Sequence, residues 1–259
     1  MRILIGSPSA DGEVEPIFAQ AILGLVGSFL ATRPDVTFEI EMPEGRSVAF
    51  ARDVLANRVL QSDDLTHLLF IDTDMGFNPE LIRRMIALDR PVVGTIAPQR
   101  HRDLDAWRRL SREMTNPLAA EVCAVSYTPD VADLDLVGMD PDDDASRAGF
   151  IPALQTGAGI LLIRRDVFET MRLVCPELAE TAVRPALAAI GLTEPLVRFF
   201  SFSHGRTGIL VGEDLSFTTR WRERCGGEIW VAPDGAIRHA GTRVVTGDFR
   251  RRMALTGET

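Results

Sequence analysis

Two acids one residue apart close an apolar run in HLLFIDTDMGFNP, residues 67–79: Asp72 and Asp74 follow Leu68-Leu69-Phe70-Ile71. On an extended chain, residues two apart point to the same side, so both carboxylates face one place. Two hard oxygen donors held that close repel each other unless a cation lies between or near them. Mg²⁺ or Mn²⁺ bridged to a diphosphate would satisfy both charges. The spacing alone says little, because it recurs at Asp103/Asp105, Asp133/Asp135, Asp140/Asp142 and Asp142/Asp144. Those four pairs lie in polar surroundings and read as solvated surface. Only the pair at 72 and 74 terminates what reads as a buried strand.

Three further features could join that chemistry. Glu213-Asp214 opens a helical stretch, where acids either complement the helix N-terminus or hold a base beside a substrate. Gly157 and Gly159 precede the apolar run Ile160-Leu161-Leu162-Ile163, as a tight turn or as a place where backbone approaches a ligand closely. His239 reads either as a strand-end histidine or as a neutral imidazole ligand.

The elements that must position these residues alternate. Arg2–Gly6 is a short apolar strand running into Ser7-Pro8-Ser9, and Pro16–Thr32 has Ile17, Ala21, Leu25 and Phe29 along one helix face. Residues 36–42 alternate as a half-exposed strand, and Val48–Leu60 reads as a helix with Arg52, Asp53, Asn57 and Arg58 on its polar positions. After the Asp72/Asp74 strand, Asn78 and Pro79 suit the cap and first position of a helix to Leu88, and 91–96 is another strand. This order predicts a largely parallel sheet covered by helices.

The alternation fades between 99 and 149. That stretch reads as a charged helix at 103–112, two strands at 120–128 and 134–138, and a solvated acidic turn at 140–144. The pattern then returns: a strand fed by Gly157 and Gly159, a helix over 166–174, a helical piece over 179–190, an aromatic strand over 197–203, and a mobile loop over 203–212. A helix from Glu213 to Cys225, a strand over 228–232 and an arginine-rich tail, Arg250-Arg251-Arg252, complete the chain.

A chain of 259 residues suits one large α/β domain, and a net charge of −9 argues against a broad nucleic-acid surface, though a local basic patch stays open. Cys123, Cys175 and Cys225 are odd in number and widely spaced, which fits reduced thiols in a cytoplasmic protein. No apolar run reaches the length of a signal peptide or membrane span, so a soluble protein with no integral membrane association is expected.

Taken together, the early strand and SPS loop, Arg52-Asp53, LLFIDTDMGFNP, GAGILLIRRDVFE, GEDLSFTTRWRERCGGEIWVAP and IRHAG resemble the GT-A glycosyltransferases, especially family 2-like bacterial and phage members. The resemblance implies one GT-A domain over 1–259: a Rossmann-like, mostly parallel sheet with helices on both faces and a small antiparallel addition. Residues 1–98 would form a nucleotide-binding half, 99–150 a variable region and 151–259 an acceptor half. It implies transfer of a sugar from a nucleotide diphosphate donor, UDP-linked by expectation, to an acceptor hydroxyl with Mn²⁺ or Mg²⁺. Asp72, Asp74 and His239 would serve the metal, and Asp214, with Glu213, the acceptor proton. Ser7, Pro8, Ser9, Arg46, Arg52, Asp53, Asp72, Thr73, Gly157 and Gly159 would meet the donor. Relatives usually carry Asn where this chain has Asp53, a departure from the family pattern at the donor-base contact. Loop 203–212 and the tail would close over the donor, with Arg243 and Arg250–Arg252 steadying the leaving diphosphate.

Three rivals share parts of this pattern. A sugar nucleotidyltransferase has the same architecture but grips a triphosphate with a basic glycine-rich loop, where SPSADGEVEP is acidic. A non-catalytic nucleotide-sugar-binding protein keeps the fold without the base, and a phage-type enzyme acting on modified DNA bases would show salt-dependent DNA binding.

Overall fold

The computed structural model describes every residue except 46, 206–207, 242–243 and 258–259, and every side chain except those and 101, 102 and 118. Seven strands form the central sheet: β1 (Arg2–Gly6), β2 (Thr37–Glu41), β3 (His67–Ile71), β4 (Val92–Thr95), β5 (Ile151–Pro152), β6 (Ile160–Arg164) and β7 (Trp230–Ala232). Their order across the sheet is β2-β1-β3-β6-β4-β7-β5. β1 is parallel to β2 and β3, and β4 is parallel to β7, while β6 runs antiparallel between β3 and β4 and β5 antiparallel at the edge. The sheet is thus mostly parallel in strand direction. Apart from it, Ile237–His239 lies between Val245–Gly247 and Met75–Gly76 in a small antiparallel sheet.

Helices cover both faces, and the strands alternate between them. Ile3, Ile5, Leu69, Ile71, Ile160 and Leu162 pack against α1 (Pro16–Thr32) and α3 (Pro79–Leu88). Leu4, Leu68, Phe70, Leu161 and Ile163 point the other way, to α2 (Val48–Leu60), α4 (Arg165–Val174) and α5 (Glu213–Cys225). A period of two on a sheet buried on both sides gives this division directly. Asn78 caps α3 by accepting the Glu80 amide at 3.0 Å, with Pro79 at the first helical position, as the sequence predicts. Gly6 lets α2 lie close on β1: a Cβ there would stand 2.9 Å from Leu55 and 3.1 Å from Leu68.

α2 departs from its expectation in a way that matters for the site. Its bounds match, but Arg52, Asp53 and Asn57 are buried rather than solvated. The Asp53 carboxylate accepts the Phe200 amide and the Arg198 guanidinium, both at 2.7 Å, and Asn57 exchanges two hydrogen bonds with the Val197 backbone. These side chains take the backbone partners that a ladder would otherwise supply. The predicted strand over 197–203 is accordingly an irregular segment with one bridge, Ala179 to Val197, before the short strand Ser203–His204.

Three other segments differ from expectation. Of the helix expected over 179–190, only the single turn Pro185–Ala188 forms, following a 3₁₀ turn at Pro176–Leu178, because Pro185 can begin a helix but cannot sit inside one. The strand expected over 120–128 begins as a helix, Pro117–Cys123, again opened by proline, and only Val125–Thr128 is extended. At 134–138 only Leu134 bridges, to Ala153, and the Asp135 carboxylate takes the Gly138 amide in a local turn.

His67, the first residue of β3, is buried, and burial together with Arg164 on β6 pushes its pKa down to about 4. A folded pKa below the unfolded one means that the unfolded chain takes up the proton first. Stability from this group is complete above about pH 6.5 and is lost as pH falls toward 4. Replacing His67 with Gln should remove about 2–3 kcal/mol of the acid destabilisation between pH 7.5 and 4.5, read from denaturant unfolding of parent and variant. The parent–variant difference cancels other titrations, such as that of Asp53, which burial pushes up to about 6 and which acts in the opposite sense.

Candidate active site

β3 delivers Asp72 to the end of the sheet, where its amide makes one more ladder bond, to the Gly159 carbonyl at 3.0 Å. Because β6 runs antiparallel, its approach through Gly157–Gly159 arrives at the carboxyl end of β3, beside Asp72. This is the end of an α/β sheet where ligands are expected. Asp72 Oδ1 accepts Arg52 Nη2 at 3.1 Å, and Arg52 Nη1 donates to Glu213 Oε1 at 2.6 Å. Arg52 is only 3% exposed. Burial would lower its pKa, but Asp72, Glu213 and Asp214 together raise it, so it is a permanent cation joining β3 to the start of α5.

Asp74 belongs to a second group. Its carbonyl accepts the Ala240 amide at 2.8 Å, and His239 pairs with Met75 in the small antiparallel sheet, which sets the imidazole beside the carboxylate. His239 Nε2 lies 3.4 Å from Asp74 Oδ2, and His239 Nδ1 lies 2.7 Å from the Pro98 carbonyl. Arg100 completes the group: its Nη2 pairs with Asp74 Oδ2 and its Nε donates to His239 Nε2 at 3.1 Å. Burial raises the pKa of Asp74, but His239 and Arg100 lower it by more, so it is ionised. Burial lowers that of His239, while Asp74 and the Pro98 carbonyl raise it by more.

These residues suit a divalent ion. Asp74 Oδ1 is buried with no hydrogen-bond partner among the described residues, and a carboxylate oxygen and an imidazole nitrogen are ordinary Mn²⁺ or Mg²⁺ donors. Asp72 is committed to Arg52 instead, and the described residues contain no cluster of three metal-ligating side chains. The protein therefore offers two ligands and leaves the other positions to phosphate oxygens and water.

A cavity of about 170 Å³ unites the two groups, lined by Asp72, Gly157, Gly159, Asp214 and His239 with Thr95, Gln99 and Thr128. It is smaller than the roughly 300–1,000 Å³ of a typical ligand pocket, so it has room for part of a nucleotide sugar only. Asp214 Oδ1 takes the Leu215 amide at 2.8 Å, and a Cβ on Gly157 would come within 3.4 Å of its Oδ2. That glycine keeps the space before the acid open, and neither Gly157 nor Gly159 has a positive φ. Glu213, by contrast, is held by Arg52.

The remaining predicted residues divide. Ser7, Pro8 and Ser9 are buried at the end of β1, with the Ser7 and Ser9 amides bonded to the Glu41 and Pro43 carbonyls, and Ser7 Oγ has no partner among the described residues. The Thr73 carbonyl accepts the Glu15 amide. Asp53, expected at the donor, is 0% exposed and clamps residues 198–200, so it has no surface for such a contact. Arg46 and Arg243 lie outside the described residues, as do 206–207 of the expected lid, whose described part is a hairpin of Ser203–His204 with Leu210–Val211. The tail is the helix Phe249–Thr256; Arg250 donates to the Gly149 carbonyl and Arg252 lies over Tyr127, and neither lines the cavity. In the acidic turn, Asp143 caps Ala145 and pairs with Arg90. No described helix is long and apolar enough to cross a membrane.

Arg100, Thr95, Gln99 and Thr128 escaped the sequence reading. Arg100 comes from the strand Ala97–Arg102, whose pairing with Val125–Thr128 shifts register between Pro98 and Arg102. Such an irregularity re-aims side chains, and no residue spacing announces it.

The mostly parallel sheet, the helices on both faces, the antiparallel addition and the acids at the carboxyl end of β3 are the arrangement expected of a GT-A-like fold. No protein-family model and no curated protein matches the chain. Among solved structures it is similar to A197 from STIV (14% identity, TM-score 0.45, covering 95% of this chain and 94% of that one). It is also similar to GalNAc-T7 with UDP, GalNAc and Mn²⁺ (11%, 0.43, covering 92% of this chain and 42% of that one). A third likeness is to a protein assigned as a glucose-1-phosphate thymidylyltransferase from Bacillus anthracis, in complex with a sucrose (10%, 0.38, 100% and 95%). At these TM-scores the likenesses are distant.

Proposed function

We propose that this protein is a metal-dependent glycosyltransferase, a single domain that moves a sugar from a nucleotide diphosphate donor, UDP-linked, to an acceptor hydroxyl. The observation that carries this reading is the division of labour among the acids. Asp74 converges with His239, Asp72 and Glu213 are neutralised by Arg52, and Asp214 alone faces the cavity without a salt bridge among the described residues. Four carboxylates around two guanidiniums leave an excess of negative charge, which would repel a diphosphate unless a divalent cation accompanied it. A bound Mn²⁺ or Mg²⁺ would offset charge on the departing diphosphate. Asp74 and His239 would hold that ion, and the Ser7–Ser9 loop at the end of β1 would lie along the nucleoside. Asp214 Oδ2 would accept the acceptor's proton as its oxygen attacks the anomeric carbon from the face opposite the leaving group, giving inversion.

A panel of UDP-, GDP- and dTDP-sugars, each with and without Mn²⁺, tests this by thermal shift and by slow donor hydrolysis. A UDP-sugar should raise the melting temperature only when Mn²⁺ is present. If no nucleotide sugar stabilises the protein under either condition, the reading is wrong.

A further inference from the structure

The strand Ala97–Arg102 acts on both nitrogens of His239. Its Pro98 carbonyl can only accept, so the hydrogen bond at 2.7 Å puts the proton on Nδ1. Its Arg100 can only donate, so the contact of Nε at 3.1 Å requires a lone pair on Nε2. The free lone pair of the ring, on Nε2, therefore lies beside Asp74 Oδ2, and both atoms face the Arg100 guanidinium. That arrangement of a fixed tautomer and a neighbouring carboxylate is what a metal-binding histidine requires. Here the chain fills the position with its own guanidinium.

Resting on the glycosyltransferase reading, we propose that Arg100 is a tethered cation that holds the Asp74–His239 pair in the resting protein, yields it to a divalent ion, and then turns to the donor's diphosphate. Arg100 is suited to move. Its side chain is 56% exposed even though Asp74 is shielded, so the guanidinium can withdraw into water without unpacking the core. Its neighbours Pro98 and Gln99 line the cavity, so a displaced guanidinium remains at the cavity's edge. Guanidinium groups bind phosphate oxygens with paired, charge-assisted hydrogen bonds, and the diphosphate arriving with the ion supplies them. The exchange also keeps the local charge balanced, because Asp74 is never left without a positive partner.

The test is Mn²⁺ binding to parent and Arg100→Gln protein in the absence of nucleotide, by titration calorimetry or by the spin-resonance signal of free Mn²⁺. Removing the competitor should tighten Mn²⁺ binding about five- to tenfold. With Mn²⁺ saturating, the same variant should bind UDP more weakly than the parent. A residue with a merely structural role would not move the two affinities in opposite directions. Arg100→Lys, which keeps the charge but cannot bridge both partners, should fall between parent and Gln variant in Mn²⁺ affinity. Unchanged or weaker Mn²⁺ binding by Arg100→Gln overturns the proposal, as does failure of both proteins to bind Mn²⁺. Failure of the glycosyltransferase reading looks different: Mn²⁺ binding tightens in the variant while no nucleotide sugar stabilises the parent.

Discussion

Replacing Arg52 with Met is expected to lower the unfolding free energy by about 3–5 kcal/mol, the largest stability loss of any single change at the site. Methionine has nearly the length to fill the space over Phe70, whose ring centre lies 5.7 Å from the guanidinium carbon, so packing is largely kept. What is lost is the charge. Asp72 and Glu213 are each bonded to Arg52, and Glu213 is largely shielded from water, with 18% of its side chain exposed. Without the guanidinium, two carboxylates face each other across a partly closed site, and the penalty is that of stranded charge rather than of a missing contact. The loss should therefore shrink on acidification, because protonating the stranded acids relieves it. Denaturant unfolding at pH 7.5 and pH 4.5 checks both statements. A loss below about 1 kcal/mol at pH 7.5 would show that the two acids find water or other partners, and that Arg52 does not organise the site.

The same residue marks where sequence reasoning stops. The bounds of α2 are legible because the turn Pro43-Glu44-Gly45 precedes a helical stretch, and Asp72 and Asp74 are legible because a run of four apolar residues ends at them. The role of α2's polar residues is not. Polar positions on a helix read as a solvated face, yet this helix is enclosed by β1, α4 and the segment at 197–200, so Arg52, Asp53 and Asn57 are interior groups with specific partners. Burial of that kind is decided by chain segments some 140 residues away in sequence, which no local pattern records. Gly157 and Gly159 were found as glycines before a strand, but their place beside Asp72 depends on β6 running antiparallel, which an alternating βα pattern does not predict. His239 was found by its order in the chain, while Arg100, its neighbour in space, depends on a register shift in a strand with no regular pattern.

Asp214→Asn should reduce sugar transfer by about 10²–10⁴-fold while leaving donor affinity within about threefold of the parent. Asparagine keeps the shape of the side chain, and its amide oxygen can still accept the Leu215 amide now bonded to Oδ1, so the start of α5 is preserved. The one thing it cannot do is take a proton. Glu213→Gln is the necessary comparison, because the two acids are adjacent and each sits in the first turn of α5. If both merely complement the helix N-terminus, the two substitutions should have similar, small effects on stability and on rate. The geometry predicts a contrast instead. Glu213→Gln removes a charge bonded to buried Arg52, so it should lower stability and disturb Asp72 with it. Asp214→Asn should leave stability nearly unchanged and fall on turnover alone. Melting temperature, UDP-sugar affinity with Mn²⁺ and turnover measured on both variants separate these outcomes. Retention of more than about a tenth of parental turnover by Asp214→Asn would remove Asp214 as the base and require another group to take the acceptor's proton.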